Sequence, residues 1–269
     1  MDGERVEAPV LLERDGAVAV ITLNRPEVIN ALSEAVLAAL QTHLDAIAAD
    51  KSIKAVILRS AGPHFCAGHN LKEMTARRAD ADGGRAYFET LFARCSAMML
   101  TITRLPQPVI AEVTGMATAA GCQLVATCDL AVAADTARFA TSGVNIGLFC
   151  STPMVALSRN IPRKAAMEML LLGQFIPAPK AAALGLVNRV VPETDVAAEA
   201  RALADAVAAQ SPAAVKIGKE AFYGQAEMGL DAAYAYAGQV MAENMMAQDA
   251  EAGIGAFIGK APMPPWRGV

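Results

Sequence analysis

Residues 108–124 read PVIAEVTGMATAAGCQL. Pro108 to Val113 is a short apolar run that reads as a buried strand. Ala117 to Leu124, ATAAGCQL, then brings small residues that let the backbone approach a neighbour, and after them an apolar run that opens a helix. A strand followed by a small-residue turn and a helix is the working unit of an α/β protein.

The unit recurs towards the N-terminus. Leu11 to Leu23 reads as a hairpin turning at Asp15-Gly16, and Arg25-Pro26 breaks its second strand. Ser33 can cap a helix in which Val36, Leu37, Leu40, Leu44 and Ile47 recur at helical spacing as far as Asp50. His43 falls beside that stripe and reads as a surface or boundary residue. Ala55 to Ser60 is a second buried strand, followed by a loop from Gly62 to Asn70 and helical sequence from Arg85 to Thr103. Alternating strands and helices imply crossover connections.

From Ala197 onward the chain is Ala-rich and helical in period, with breaks at Ser211-Pro212 and Gly229 and a Pro-rich end. We therefore expect two regions, 1–196 as the α/β core and 197–269 as a helical extension. The Met-rich run Gln239 to Met246 suits either core covering or a subunit interface.

Composition narrows the function. With 54% hydrophobic and 19% charged residues among 269, the chain can bury a large core. A formal charge of −4 and scattered Lys and Arg give no footprint for nucleic acid. Five cysteines (Cys66, Cys95, Cys122, Cys128, Cys150) without a CxxC pair suggest buried thiols in a reducing compartment and no metal site. The start, MDGERVEAPV, lacks an apolar signal core, and no apolar stretch has the length a bilayer needs, so the expectation is a cytoplasmic protein without a membrane segment.

Two loops join the end of a buried strand to a following helix: FCAGHNLKE (Phe65 to Glu73) and ATAAGCQL. Ligands of α/β sheets collect beyond the carboxyl ends of strands, where unpaired amides at a helix start attract negative charge. Two such turns converging would make an oxyanion hole. With NRPEVINAL before them, and CDLAVAADTARFATSGVNIGL and AAALGLVNRVVPE after, these segments resemble the crotonase superfamily, the enoyl-CoA hydratase/isomerase family, over nearly the whole chain. The resemblance implies a ClpP-like spiral core of ββα units, a C-terminal helical region that forms a homotrimer or a dimer of trimers, and an acyl-CoA thioester as substrate or ligand with no permanently bound cofactor. It also implies that the backbone amides of His69 and Ala120 hold the thioester oxygen. Ala67, Gly68, His69, Asn70, Leu71 and Lys72, with Ala120, would then line the CoA side.

The same resemblance exposes a departure. Hydratases of this family use two glutamates, and the matching positions are Gln123 and Gly143. A glutamine can orient water but cannot exchange a proton near neutrality, and glycine has no side chain. Glu73, Glu112 and Asp129 read as structural carboxylates. Cys150 and Ser151 could approach the acyl chain, and Phe88 to Met99 with Phe149 to Val155 would shape its pocket. AAGCQLVATCDLAVA with FATSGVNIGLFCSTP resembles the branch of enoyl-CoA hydratase domain-containing proteins of the third kind, which lack the hydratase glutamates. Three functions stay open: a poor hydratase or isomerase that keeps the oxyanion hole, an enzyme of decarboxylase-type enolate chemistry, and a non-catalytic acyl-CoA binder. On this reading, restoring both glutamates should raise hydration.

Overall fold

The computed structural model describes residues 8–269, so all but the last residues of the acidic start lie outside it. β1 (Val10–Asp15) and β2 (Val18–Leu23) form the antiparallel hairpin, with Asp15 opposite Val18 and Gly16 at a φ of +63° in the turn. Ser33 caps α1 (Glu34–Ala49) by accepting from the Val36 amide at 3.2 Å, a contact that typically contributes about 1 kcal/mol. All five residues of the apolar stripe on α1 are buried.

The chain then returns three times through parallel strands: β3 (Ala55–Ser60), β4 (Val109–Val113) and, after two more elements, β6 (Leu130–Ala134). With β9 (Arg189–Val191) they give a six-stranded sheet in the order β1-β2-β3-β4-β6-β9, parallel everywhere except at the first hairpin. Ala55 to Leu58 is buried at every position, as expected of a parallel strand covered on both faces.

A second, smaller sheet holds the tips of these returns. β5 (Met116–Thr118), β7 (Arg138–Ala140) and β8 (Ile176–Pro177) pair in that order, and an isolated bridge joins Cys66 to Ala117 beside β5. Two turns of the spiral, β4 with β5 and β6 with β7, thus add one strand to the large sheet and a short one to the small sheet before a helix, and after β3 the Cys66 bridge stands where the short strand would be. These helices are α2 (Leu71–Ala76) with α3 (Arg85–Arg104), then α4 (Ala120–Thr127), α5 (Pro153–Asn160) with α6 (Arg163–Leu172), and α7 (Ala178–Leu184). This is the spiral of ββα units expected above. The short strands β5, β7, β8 and β9 are two or three residues long, too short to give a period of their own.

α8 (Val196–Ala208) lies against β3, β4 and β6 and buries Val196, Ala200 and Ala204. α9 (Pro212–Ala226) is pinned to the core by one buried lysine. Lys219 Nζ donates to the carbonyls of Ile102 (2.9 Å) and Gln107 (3.1 Å) and to the Asp129 carboxylate (2.7 Å), which also accepts from Tyr223 and the Val109 amide. Asp129 is therefore structural. α10 (Leu230–Met245) buries no residue, and α11 (Gln248–Ile258) buries only Asp249, which accepts from Ser211 and the amides of Arg267 and Gly268. The Met-rich run stands out in solvent, with Met246 85% exposed. It does not cover the core. No helix among the described residues is long and apolar enough to cross a membrane.

Candidate functional site

The loop after β3 and the turn after β5 meet through Cys66. Its amide donates to the Met116 carbonyl (3.1 Å), its carbonyl accepts from Thr118 (3.0 Å), and its thiol accepts from the Gly68 amide (3.4 Å). Gly121 sits directly against the Cys66 carbonyl, so any side chain at 121 would drive the two segments apart. Small residues in this stretch are a packing requirement.

The amides of the first loop can be followed one by one. Ala67 donates to the Ile29 carbonyl (3.0 Å), Gly68 to the Cys66 thiol, and Asn70 to the Leu32 carbonyl (3.3 Å). His69 alone of the four has no partner among the described residues. Beyond it, the Asn70 side chain accepts from Lys72 (3.1 Å) and Glu73 (3.4 Å), so these amides of the short helix α2 are already occupied. Leu71 and Lys72 are exposed.

The second turn is built on strain. Ala119 adopts φ 51° and ψ −121°, a conformation that costs a non-glycine residue on the order of 1–3 kcal/mol and that its surroundings must hold. The Ala119 amide is tied to the Ala140 carbonyl (3.0 Å). α4 then starts at Ala120, whose amide likewise has no partner among the described residues. Gly68, at φ +90°, comes so near that a Cβ on it would stand 3.1 Å from the Ala120 nitrogen and 2.9 Å from the Ala119 Cβ. The structure thus sets Gly68, the residue before His69, against Ala120.

Gln123 lies one turn into α4 and is buried, and its Oε1 has no partner among the described residues. The His69 ring packs edge-on against Phe92 of α3, at 5.5 Å between centroids, and neither ring nitrogen has a hydrogen-bond partner among the described residues. Burial, partly opposed by the Leu32 backbone, lowers the His69 pKa, so the ring is neutral at physiological pH. Thr141, a polar candidate that its place in the sequence beside the second loop already offered, is fully buried and its hydroxyl has no partner among the described residues. A buried unpaired polar atom is uncommon enough to suggest a ligand or water at that point.

Gly143 is where the expectation needs correcting. It is buried, and a Cβ there would run into the Leu148 carbonyl and stand 2.9 Å from the Cys150 Sγ. The segment after Gly143 folds back over it, with the Leu148 amide donating to the Gly143 carbonyl (2.9 Å). This backbone has no room for a glutamate at 143, so a return to two glutamates is not a matter of side chains alone. Glu73 accepts from the Glu34 amide (3.2 Å) and serves α1. Glu112 lies half-buried with its pKa raised by burial and opposed by Arg59. Of the expected pocket formers, Phe149, Met154 and Val155 are exposed, whereas Phe92 contacts His69. Ser151 is exposed and its hydroxyl donates to the Phe149 carbonyl (3.4 Å).

A spiral of ββα units with two small-residue turns meeting at its edge defines a protein of the crotonase fold. The chain belongs to the enoyl-CoA hydratase/isomerase family, whose model matches residues 13–268. It is 45% identical over 254 residues to the rat protein named enoyl-CoA hydratase domain-containing protein 3, mitochondrial, covering 94% of this chain and 82% of that one. The solved structure of the human enoyl Coenzyme A hydratase domain-containing protein 3 superposes with a TM-score of 0.90 at 43% identity, covering 96% of this chain and all of that one. A Mycobacterium smegmatis structure described as an enoyl-CoA hydratase gives 0.92 at 54% identity, over 97% of this chain and 99% of that one.

Proposed function

We propose that this protein binds acyl-CoA thioesters, with the carbonyl oxygen accepting from the amides of His69 and Ala120, and that it is a poor hydratase. One observation supports the reading: of four successive amides in the first loop only that of His69 lacks a partner among the described residues, and the preceding Gly68 packs against Ala120, whose amide lacks one too. Preorganised amide pairs of this kind stabilise the negative charge that develops on a thioester oxygen, and one lost donor typically costs about a hundredfold or more in rate. Ala67 to Lys72 would line the CoA side. The thioester enters as substrate or ligand, without a resident cofactor.

Poor hydration follows from what stands beside the amides. Gln123 can orient a water but cannot take its proton, and Gly143 contributes nothing. A general acid or base typically supplies on the order of a hundred to ten thousandfold, so losing two should leave little hydration.

A second reading, decarboxylase-type chemistry, is favoured by the same pairing of amides without a neighbouring carboxylate. Loss of carbon dioxide from a malonyl-type thioester generates an enolate with no protein base. The exposed apolar faces of α10 and α11, including Tyr234, Met241 and Phe257, support assembly as a homotrimer or a dimer of trimers. The regions 1–196 and 197–269 would then divide thioester binding from assembly. Five buried thiols fit a reducing, cytoplasmic setting.

Calorimetry with acetyl-CoA together with a crotonyl-CoA hydration assay tests this reading. Binding with hydration far below that of a two-glutamate hydratase is expected, and hydration comparable to such an enzyme would overturn it. Carbon dioxide release from a panel of malonyl-type thioesters separates the second reading from simple binding.

A further inference from the structure

A cleft of about 570 Å³ opens between the start of α9, the end of α10, α11 and the segment 261–266, and no residue of the two turns lines it. Its volume falls within the range of about 300–1,000 Å³ typical of small-molecule sites. Ile254, Met263 and Trp266 form an apolar wall. The Trp266 indole is fixed there, since its Nε1 donates to the Ala209 carbonyl (2.9 Å) and its ring packs on Gly253, where a Cβ would stand 3.1 Å away.

The buried polar groups of the lining are spent inside the fold, with one exception. The Ser211 hydroxyl donates to Asp249 (2.6 Å) and accepts from the Ala214 amide (3.2 Å), and the Asp249 carboxylate also accepts from the amides of Arg267 (2.8 Å) and Gly268 (2.9 Å). Asn244 Oδ1 is buried and has no partner among the described residues. A buried acceptor left unpaired is costly, and an apolar wall offers a water few further partners. Charge narrows the ligand. No lysine, arginine or histidine lines the cleft, and its one carboxylate, Asp249, is already met by three donors. Nothing in the lining is left to neutralise a phosphate, a carboxylate or an ammonium group.

We infer that this cleft binds an uncharged, largely apolar molecule with one hydroxyl, an aliphatic alcohol in the simplest case. The chain lies against Ile254, Met263 and Trp266, and the hydroxyl donates to Asn244 Oδ1. A hydroxyl supplies the missing donor without bringing a charge into an apolar setting. A fatty carboxylate would set its charge beside Asp249, and the phosphates of CoA would find no cation. The site is therefore separate from the thioester site, and the failure of either reading leaves the other standing.

The chain has a single tryptophan, so the emission of Trp266 reports on the cleft directly. Titration with 1-octanol below its solubility limit should shift that emission saturably, with the same midpoint by calorimetry. 1-Methoxyoctane, which cannot donate, and octanoate, which carries a charge, should each bind at least tenfold more weakly. No saturable shift, or a midpoint for either analogue equal to that of octanol, overturns the inference.

Two variants locate the probe. Asn244→Leu should weaken octanol about tenfold and leave methoxyoctane unchanged, the loss of one hydrogen bond. Ala250→Phe places a ring in the cleft and should abolish the shift with both probes. An unchanged octanol midpoint in Asn244→Leu overturns the acceptor role, and an unchanged one in Ala250→Phe overturns the location. Excess acetyl-CoA should leave octanol binding as it is, and displacement would put the probe in the thioester site and overturn the inference. Light scattering during the titration supplies the last check: a shift seen only as assemblies fall apart into single chains would mean that a second copy covers the cleft, which also overturns it.

Discussion

Gly68 is packed so tightly against Ala120 that a methyl group on it would stand 3.1 Å from the Ala120 nitrogen. At φ +90° the position also disfavours any side chain. Gly68→Ala should therefore part the His69 and Ala120 amides and lower any thioester turnover about a hundredfold. Calorimetry with acetyl-CoA beside a turnover assay would measure it, and unchanged values for both would count against the paired-amide site.

The loop over Gly143 sets a limit on redesign. Gln123→Glu combined with Gly143→Glu should not raise hydration and should destabilise the fold by about 3 kcal/mol, since the new side chain must displace the Leu148 carbonyl and the Cys150 thiol. Urea unfolding and a crotonyl-CoA assay on the double variant test this together. A stable variant with raised hydration would mean that the 143–150 loop yields.

His69 couples the site to acid. Burial lowers its pKa below the usual 6.5, so the unfolded chain takes up a proton before the folded one does. The contribution to stability is fully present above pH 6.5 and is lost as pH falls towards the lowered value. His69→Gln should flatten the fall in melting temperature between about pH 6.5 and 5 relative to the wild type. Parallel curves for the two proteins would argue that the ring is free to protonate in place.

Lys219 fastens α9 to the core. Lys219→Ala strips the buried Asp129 carboxylate of its cation and frees two carbonyls, which should cost about 3–5 kcal/mol in urea unfolding. A loss below 1 kcal/mol would show that the C-terminal helices are held by other contacts.

The buried thiols should be silent in the folded protein. Burial pushes Cys66, Cys95 and Cys122 up to about 12, leaving almost no thiolate at pH 8. A disulfide reagent added at pH 8 should leave these three unmodified in native protein and modify all five cysteines once guanidinium unfolds it. Fast native-state labelling of Cys122 would mean that α4 opens readily.

Much of the architecture was legible. The stripe on α1, the hairpin at Gly16 and the buried run of β3 each carry a period or a turn residue that a single chain segment displays unaided. The two small-residue loops could be picked out because glycine and alanine cluster where strands end. Thr141 stood among the polar residues near the second loop, but that its hydroxyl is left without a partner was not legible, since nothing in its neighbourhood in sequence distinguishes a paired hydroxyl from an unpaired one.

The chain alone determined which residue types stand at the two turns and that Gln123 and Gly143 bring no carboxylate, because these are matters of local order and chemical identity. Tertiary structure decided which amide is left over and what fills the space at Gly143. His69 is unpaired only because Ile29, Cys66 and Leu32 satisfy its neighbours, and Gly143 is closed only because Leu148 and Cys150 return across it. Both results depend on hydrogen bonds and contacts between segments, and these exist only once the spiral has closed.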